Sequence, residues 1–255
     1  MKAFNLSGRT ALVTGARREI GRAIALGLAG LGARIAVHHA GTEEESRDAQ
    51  AVVQEIQAGN GQAQPFASDF AQDDSAKQLA ADVLQAFGTV DILVMNASIE
   101  LVEHYSTVTR ERFDRQIAIN LRSTLELVQQ LVPPMAERGW GRVVSIGSIQ
   151  QELPHEGMIV YAGTKAAQEN FMRNLARQYA AQGVTFNNLA PGVILTARNR
   201  VSLTPRANDV IQRIPAGRLG RPDDLVGAAL LFCSDAGAYI TGANLFVDGG
   251  RRIAR

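Results

Sequence analysis

Short apolar segments, each long enough for one β-strand, alternate along this chain with longer amphipathic segments of helical periodicity. The predicted strands cover residues 10–14, 34–37, 64–67, 92–95, 142–146, 185–190 and 244–247, and the predicted helices cover 20–31, 43–58, 75–87, 110–137, 161–181 and 223–233. Strands without a polar face belong in a parallel sheet that is covered on both sides. Because strand and helix alternate, the connections are right-handed crossovers in a doubly wound sheet. The sequence therefore predicts one α/β domain over residues 1–255, with about seven parallel strands and helices on both faces.

Length, charge and cysteine content narrow the classes of protein further. A chain of 255 residues suits one domain. The formal net charge of +1 gives no electrostatic reason to expect nucleic acid or a membrane as partner. No apolar run has the length of a membrane span, and the N-terminus lacks the apolar core of a signal peptide. The single cysteine, Cys233, lies in an apolar stretch and cannot form an intramolecular disulfide, so we expect a buried thiol and a cytoplasmic protein.

The first predicted strand runs into a glycine-containing turn, which is followed at once by a helix. In this context the amides at the helix N-terminus bind the pyrophosphate of a dinucleotide. Gly15 permits a tight turn, and Gly21 permits a close approach of the helix to the sheet. A glycine turn alone is weak evidence, but its position after the first strand strengthens the prediction. The candidate cofactor-binding residues in this turn are Gly15, Arg17, Arg18, Ile20 and Gly21.

The end of the second predicted strand bears on the choice between NAD(H) and NADP(H). An acidic side chain there would accept hydrogen bonds from the adenine ribose of NAD, but the nearest carboxylate is Glu43. His39 and Thr42 can donate to a phosphate, and Arg17 and Arg18 lie in the neighbouring turn. The alternative is that these arginines are only solvated. We therefore predict NADP(H) as the favoured cofactor, with NAD(H) as the alternative.

Polar or turn-forming residues follow the later strands, where a cofactor would lie in a doubly wound sheet. Asp69 could contact an adenine amino group, although it could equally cap the helix that starts near Ser75. The turn at Pro191 and Gly192 could bring backbone groups to a nicotinamide carboxamide. The irregular stretch 193–220, called the lid segment below, could fold over a ligand. The further candidate cofactor-binding residues are His39, Asp69, Phe70, Asn96, Ala97, Pro191, Gly192, Val193 and Thr196.

A serine, a tyrosine and a lysine occur at a spacing that suits acid–base chemistry. Tyr161 and Lys165 are four residues apart in a predicted helix, so both side chains leave the same face. A phenol with a pKa of about 10 is a poor acid or base at neutral pH, and a neighbouring ammonium lowers that pKa towards the working range. Ser148 closes the fifth predicted strand and could hold a carbonyl oxygen beside the phenol. The alternative is a surface pair of tyrosine and lysine without function.

Asn120 lies within the predicted helix 110–137, where asparagine is unfavourable because its side chain competes with the backbone. A local kink there could free a backbone carbonyl that holds a water molecule behind the lysine, although Asn120 by itself is neutral evidence. We predict Asn120, Ser148, Tyr161 and Lys165 as catalytic residues, of which Tyr161 and Lys165 also contact the cofactor. No cluster of His, Cys, Asp and Glu has the spacing of metal ligands, so we expect no catalytic metal.

Together these residues resemble the short-chain dehydrogenase/reductase family over nearly the whole chain. The motifs that carry the resemblance are Thr14-Gly15…Gly21, Asp69, Asn96-Ala97, Asn120, Ser148, Tyr161-x-x-x-Lys165, Pro191-Gly192…Thr196, Arg218-Leu-Gly-Arg-Pro222 and Val247-Asp-Gly-Gly250. The resemblance implies a Rossmann-type sheet and hydride transfer between NAD(P)(H) and a small-molecule carbonyl or alcohol substrate.

Carried over to this sequence, the resemblance implies a role for each catalytic residue. Tyr161 is the proton donor in reduction and the base in oxidation, and Ser148 orients the substrate oxygen. Lys165 lowers the pKa of the tyrosine and binds the nicotinamide ribose, while Asn120 anchors a proton-relay water. Family members are commonly tetramers in which the helices bearing Asn120 and Tyr161 meet across an interface. We therefore expect a homotetramer or a homodimer.

Two positions depart from the family pattern. Glu19 replaces the middle glycine of the turn, where a carboxylate would repel a pyrophosphate. Pteridine-reductase-like members resemble this chain in carrying a charged residue there, although usually a basic one. We expect Arg17, Arg18 or Arg22 to neutralise Glu19. Ser98 replaces a glycine after the fourth predicted strand and places a hydroxyl near the cofactor.

Two alternatives to a general carbonyl reductase or alcohol dehydrogenase stay open. The stretch Arg218-Leu-Gly-Arg-Pro222 is similar to that of 3-oxoacyl-carrier-protein-type reductases, which carry basic residues that meet an acidic carrier. Here Arg138 and Arg142 come before the fifth strand, but Gly139-Trp140-Gly141 lies between them and Gln182 follows the tyrosine helix, so this alternative stays open without being favoured. The other alternative is a dinucleotide-binding protein that has lost its catalytic activity. Glu19 and Ser98, which depart from the family pattern, motivate this alternative.

Overall fold

The computed structural model describes residues 2–254, apart from the side chain of residue 202, and its centre is one parallel β-sheet. The strands are β1 (Thr10–Val13), β2 (Arg34–His39), β3 (Ala63–Ala67), β4 (Ile92–Met95), β5 (Gly141–Ile146), β6 (Val184–Pro191) and β7 (Asn244–Val247). They lie in the order β3-β2-β1-β4-β5-β6-β7, and each neighbouring pair is parallel. The predicted doubly wound sheet is confirmed.

The helices that connect the strands follow the predicted pattern with two exceptions. They are α1 (Glu19–Gly30), α2 (Glu43–Ala58), α3 (Ser75–Phe87), α4 (Arg110–Ile117), α5 (Ser123–Glu137), α6 (Ile159–Tyr179), α7 (Ala197–Leu203), α8 (Ala207–Ile211) and α9 (Val226–Cys233). The predicted single helix 110–137 is divided into α4 and α5 by a π-helical turn, Ala118–Arg122. The lid segment, which was expected to be irregular, contains α7 and α8. Both helices are short, so their periodicity in the sequence is weak.

The sheet separates two hydrophobic cores, because successive side chains of a strand point to opposite faces. Ala11 and Val13 of β1 pack on one face with α1, α2 and α9. Leu12, which lies between them, packs on the other face with α3, α5 and α6. All three side chains are fully buried. Burial on both faces explains why central strands such as β1 and β4 show no polar alternation in the sequence.

The strand order changes direction between β1 and β4, which are neighbours in the sheet. From β1 the chain proceeds outwards to β3 and then crosses to β4 on the other side of β1. Ligands of doubly wound sheets bind at such a point, in the crevice beyond the carboxyl ends of the strands. The loops after β1, β4, β5 and β6 therefore meet at one edge of the sheet, and these loops carry most of the candidate site residues.

Cys233, the last residue of α9, is fully buried. Burial raises the pKa of its thiol to about 12, so the thiol stays protonated at neutral pH. The predicted buried thiol is confirmed. Among residues 2–254, no helix is both long enough and apolar enough to cross a membrane.

Candidate active site

The glycine turn after β1 is fixed by close packing and by the end of β4. Gly15 has a φ of +63°, a conformation that glycine adopts without strain. A Cβ on Gly21 would lie 2.3 Å from the carbonyl oxygen of Gly15, so only glycine lets the first turn of α1 come so close. The side-chain amide of Asn96 donates to the carbonyls of Thr14 and Gly15 at 3.0 and 3.1 Å. Ile20, beside Gly21, is partly buried against the core.

His38, in β2, is buried against this turn, and no sequence motif singled it out. Its Nδ1 accepts the N–H of Gly15 at 3.0 Å, so the ring proton lies on Nε2, which donates to the carbonyl of Ser68 at 2.8 Å. The ring also stacks on Phe70, with the ring centroids 4.4 Å apart. His38 therefore joins the glycine turn to the loop after β3. The Phe70 ring, predicted near the cofactor, is buried against His38.

Replacing His38 with asparagine is expected to reduce the loss of unfolding free energy that occurs as the pH falls from 7 to 4. Burial lowers the pKa of His38 from 6.5 to about 4, because desolvation disfavours the charged ring. Between these pH values the unfolded chain binds a proton that the folded protein does not, so the wild type loses about 3 kcal/mol of stability as the pH falls through this range. Denaturant unfolding of both proteins from pH 7 to pH 4 measures the difference. Two parallel curves would contradict this prediction.

The basic side chains near the end of β2 differ in whether they are available to bind a phosphate. Arg17 is mostly buried and pairs with Glu45 at 3.0 Å and with Asp48, so two carboxylates of α2 already hold it. Arg18 is exposed at the start of α1. His39 is buried, and its Nδ1 accepts a backbone N–H at 3.1 Å, while burial lowers its pKa. In this neutral tautomer the Nε2 proton remains as a donor for a phosphate.

Glu19 has a φ of +52°, in the left-handed region that favours glycine. Its carboxylate accepts the N–H of Ala197 at 2.8 Å, which ties the glycine turn to the first residue of α7. Of the three arginines expected to neutralise Glu19, Arg17 is bound to α2, Arg22 pairs with Glu55, and Arg18 is exposed and forms no ion pair with Glu19 among the described residues. The turn still suits a pyrophosphate, since Gly15 and Gly21 let it pack tightly against the start of α1, where backbone N–H groups bind phosphate, and the lid segment holds the Glu19 carboxylate.

The lid segment contacts the site at a second point. The guanidinium of Arg198 donates to the carbonyl of Ser98 in the loop after β4, at 2.6 Å. This contact uses the backbone of Ser98, so it does not depend on the hydroxyl that departs from the family pattern. Together with the contact of Glu19, it anchors α7 above the carboxyl ends of β1 and β4.

Two predicted cofactor residues lie in the loops after β3 and β4. The carboxylate of Asp69 accepts the N–H of Ala71 at 3.0 Å, which forms a local turn. Because α3 begins after Asp74, the alternative in which Asp69 caps that helix is wrong. The N–H of Ala97 donates to the hydroxyl of Thr14 at 2.9 Å, so Ala97, like Asn96, helps to fasten the loop after β4 to the glycine turn.

The turn after β6 is held from below by β7 and from the side by the lid segment. Pro191 is the last residue of β6, and a Cβ on Gly192 would lie 2.5 Å from the Cα of the residue that follows β7. The carbonyl of Val193 accepts the N–H of Gly220 at 3.0 Å, which closes the base of the lid segment. Thr196 is the N-cap residue of α7. The backbone here is therefore rigid, as the proposed contact with a nicotinamide requires.

Ser148, Tyr161 and Lys165 come together at the carboxyl end of β5. Ser148 follows β5 closely, and its hydroxyl accepts the N–H of Gln150 at 3.1 Å. Tyr161 and Lys165 lie on α6, and their side chains are buried. The ammonium of Lys165 is 5.7 Å from the centre of the Tyr161 ring and donates to the carbonyl of Ile146 at 2.7 Å. Since Ile146 ends β5, the lysine is tied to the strand that leads to Ser148.

Burial dominates the proton affinities of the tyrosine and the lysine. The pKa of Tyr161 is raised to about 12, mainly by burial and also by the charge of Glu100, although Arg198 and a hydrogen bond with Ser148 act in the opposite direction. The pKa of Lys165 is lowered to about 7, mainly by burial and also by Arg198, with Glu100 opposing. The prediction of a lowered phenol pKa is wrong for this structure, because desolvation outweighs the neighbouring charges. Tyr161 is therefore protonated at neutral pH, the form that can donate a proton.

Asn120 lies at the centre of the π-helical turn between α4 and α5. Its side chain is fully buried and bonds to the N–H and the carbonyl of Ile99, both at 2.9 Å. The kink suggested by the sequence is this turn. The carbonyl of Asn120 accepts from the side-chain amide of Gln168 at 2.6 Å and from the hydroxyl of Thr124 at 3.2 Å. Two side chains therefore occupy both lone pairs that the water-anchoring role would use.

Gln168 is a site residue that the motifs missed. It follows Lys165 by three positions and Tyr161 by seven, so the three side chains share one face of α6. Its Oε1 accepts from the ammonium of Lys165 at 3.1 Å. The available signal was a polar residue on the helix face that packs against the sheet, where an apolar residue would be expected.

Comparison with known proteins identifies relatives along nearly the whole chain. A family model described as enoyl-(acyl carrier protein) reductase matches residues 15–252. The L-rhamnose 1-dehydrogenase (NAD(P)(+)) of Azotobacter vinelandii is 36% identical over 248 residues, which are 96% of this chain and 97% of that protein. A structure of 3-oxoacyl (acyl-carrier-protein) reductase from Agrobacterium tumefaciens C58 with NADP bound is 41% identical with a TM-score of 0.91, covering 97% of this chain and 96% of that one. A gluconate 5-dehydrogenase from Burkholderia cenocepacia J2315, in complex with NADP and tartrate, is 31% identical with a TM-score of 0.92, covering 99% of this chain and 98% of that one.

These relatives are dehydrogenases and reductases, and they match the chain over almost its full length. The strand order, the glycine turn and the group formed by Ser148, Tyr161 and Lys165 agree with the family resemblance of the motifs. The chain belongs to the short-chain dehydrogenase/reductase family.

Proposed function

We propose that this enzyme transfers a hydride between NADP(H) and a carbonyl or secondary alcohol, with Tyr161 as the acid or base. The observation that carries the proposal is the cluster of Ser148, Tyr161 and Lys165 at the sheet edge where the glycine turn also lies. Family membership supports the reaction class. Cofactor binding alone would not require a phenol and a serine hydroxyl beside this lysine, so the cluster favours catalysis over a protein that only binds a dinucleotide.

Bound NADPH would supply the hydride in the reductive direction. Ser148 holds the substrate oxygen through its hydroxyl, next to the phenol of Tyr161. Tyr161 is protonated at neutral pH because burial raises its pKa, and it donates this proton to the substrate oxygen as negative charge develops there. The ammonium of Lys165 stabilises the phenolate that remains. In the oxidative direction Tyr161 must first lose its proton, which its raised pKa opposes and the Lys165 ammonium favours, and the phenolate then takes the proton of the alcohol.

NADP(H) is proposed as the favoured cofactor, with NAD(H) as the alternative. Two of the similar structures hold NADP. The end of β2 carries His39 rather than a carboxylate that would accept from the adenine ribose. Gly15 and Gly21 let the turn pack closely against the start of α1, whose N–H groups would bind the pyrophosphate, and the turn at Pro191 and Gly192 would face the nicotinamide.

We propose a hydroxylated substrate, such as a sugar or a sugar acid. A rhamnose dehydrogenase and a gluconate dehydrogenase are among the relatives. The charges of Glu100 and Arg198 lie close enough to Tyr161 to alter its pKa. Charged side chains beside the reacting atoms can bind hydroxyl and carboxylate groups and fix their orientation. The lid segment, which carries Arg198, would close over this substrate.

The second candidate function is that of a 3-oxoacyl-carrier-protein-type reductase, since one similar structure with NADP bound has that activity in its name. The two arginines that could bind an acidic carrier already form ion pairs within the chain. Arg142 is buried and pairs with Asp235 at 2.9 Å, and Arg138 pairs with Asp91 at 3.3 Å. A carrier would have to bind other residues, so we rank this candidate second.

A homotetramer or a homodimer is proposed from an apolar surface formed by α4, the start of α6 and the turn that precedes α4. Tyr105, Phe113 and Ile159 are 66%, 45% and 58% exposed and line one groove there. Clustered exposed apolar side chains are typical of protein–protein contacts. Light scattering of the purified protein measures the mass, and a monomer would contradict the proposal.

Calorimetric titration with NADPH and with NADH, followed by a substrate screen, tests the proposed function. We expect tighter binding of NADPH and its oxidation in the presence of keto sugars or keto sugar acids. Turnover confined to 3-oxoacyl thioesters would favour the second candidate, and a preference for NADH would overturn the cofactor proposal. If neither cofactor bound, Glu19 would be a disabling substitution and a non-catalytic protein would be favoured.

A further inference from the structure

A buried amide joins Lys165 to the backbone of the π-helical turn. Gln168 is 1% exposed. Its Oε1 accepts from the ammonium of Lys165 at 3.1 Å, and its Nε2 donates to the carbonyl of Asn120 at 2.6 Å and to the hydroxyl of Thr124 at 2.8 Å. The orientation of the amide is determined by these partners, because the reverse would set N–H groups against an ammonium and an oxygen against a carbonyl.

We propose that Gln168 is a positioning residue that orients the ammonium of Lys165 towards Tyr161. By bonding to the carbonyl of Asn120, it also prevents a proton from reaching Lys165 from that side. The inference rests on the proposed function, since it assumes that Tyr161 exchanges a proton with the substrate. Gln168 itself need not touch substrate or cofactor for this role. It acts through Lys165.

The first part of the role is the orientation of the ammonium. Lys165 has three N–H donors, and the carbonyl of Ile146 and the amide oxygen of Gln168 accept two of them at 2.7 and 3.1 Å. A lysine side chain is flexible, so one acceptor alone would leave it free to turn about that bond. Two acceptors on different elements, β5 and α6, fix the direction of the third N–H. That third donor is the one left for the reaction site.

The second part of the role concerns the return of the proton. In reduction the O–H bond of Tyr161 breaks and a new O–H bond forms on the substrate oxygen, so the phenolate must regain a proton after each turnover. A neutral amide is neither a useful acid nor a useful base at neutral pH, so Gln168 cannot relay that proton. The Asn120 carbonyl behind it is occupied by Gln168 and Thr124. The proton must therefore arrive from the side of the pocket where substrate and lid segment lie.

The charged groups that act on Lys165 are carried by other parts of the chain. Arg198 on α7 lowers the pKa of Lys165, and Glu100 in the loop after β4 raises it. Tyr161 is the titratable neighbour on the same helix. All of these groups remain when Gln168 is replaced. A changed pH profile of such a variant therefore reports the loss of the amide.

The test compares Gln168→Met with the matched control Gln116→Met in the pH profile of kcat for reduction by NADPH. Methionine has a similar length but provides neither a strong acceptor nor a donor. We expect Gln168→Met to lower kcat at pH 7 at least about tenfold with the substrate KM changed at most about threefold, since a charge-assisted hydrogen bond is lost. The pKa that limits kcat should fall by about one unit, because the ammonium loses an acceptor.

Gln116 is equally buried, on α4, and its side chain accepts the N–H of Leu101 rather than contacting Lys165. The Gln116→Met enzyme should keep the wild-type profile, with kcat within about threefold. If Gln168→Met does not fold, the pH profile of kcat is measured for Gln168→Glu instead. Its limiting pKa should rise, because a carboxylate beside the ammonium stabilises the charged lysine.

Three outcomes contradict the inference. Unchanged pH profiles in the folded variants of Gln168 would overturn it, and so would the same shift in Gln116→Met, which would indicate a general packing effect. A wild-type protein that binds NADPH but reduces no carbonyl substrate would overturn the proposed function itself, and the inference with it. The wild-type assay therefore separates the two failures.

Discussion

Replacing Tyr161 with phenylalanine is expected to reduce turnover by about 10²–10⁴-fold, the range that general acid–base catalysis contributes. The substitution removes one hydroxyl from a buried ring, so the packing of α6 is retained. Ser148 cannot replace the lost acid, because a serine hydroxyl does not ionise in the working range. The affinity for NADPH should change at most a few-fold. Steady-state kcat and a calorimetric Kd measure the two effects separately.

Tyr179→Phe is the matched control for that substitution. Tyr179 ends the same helix, 18 residues further along α6, which is about 27 Å at the helical rise. Its ring packs against Phe186, with the centroids 6.0 Å apart. The control should retain turnover. An active Tyr161→Phe enzyme would remove Tyr161 as the acid and would make Lys165 the remaining candidate donor.

Replacing His39 with aspartate is expected to shift the ratio of kcat/KM for NADPH over NADH by about 10- to 100-fold towards NADH, where each tenfold corresponds to about 1.4 kcal/mol. A carboxylate at the end of β2 can accept from the ribose hydroxyls of NADH. It would also repel the extra phosphate of NADPH and remove the Nε2 donor of the neutral imidazole. Initial rates with each cofactor at a fixed substrate concentration give the ratio.

His104→Asp introduces the same charge at an exposed position in the loop before α4 and serves as the control. It should leave the cofactor ratio unchanged. Because His39 is buried, circular dichroism of His39→Asp must first show the wild-type fold. An unchanged ratio in the folded variant would show that the end of β2 does not read the phosphate. Arg18, which is exposed, would then be the next residue to replace.

The sequence by itself determined the sheet, the position of the glycine turn and the grouping of Ser148, Tyr161 and Lys165. Each of these depends on spacing within a short stretch of chain. Apolar strands of four to eight residues and helices of 3.6-residue period are local patterns. The four-residue step from Tyr161 to Lys165 places both on one helix face whatever surrounds the helix. The short helices α7 and α8 were not predicted, because a pattern of one or two turns is too short to recognise, whereas the kink expected at Asn120 is present as the π-helical turn.

The partners of charged and polar side chains were decided only by the tertiary structure. Glu19 binds the N–H of Ala197, which is 178 positions away, rather than an arginine of its own turn. Gln168 reaches the carbonyl of Asn120, which is 48 positions away. The folded chain also set the pKa of Tyr161, because desolvation depends on how completely the assembled elements exclude water from the phenol. Spacing along the chain predicts which side chains share a face, whereas partner and proton affinity depend on contacts that exist only once distant segments have packed together.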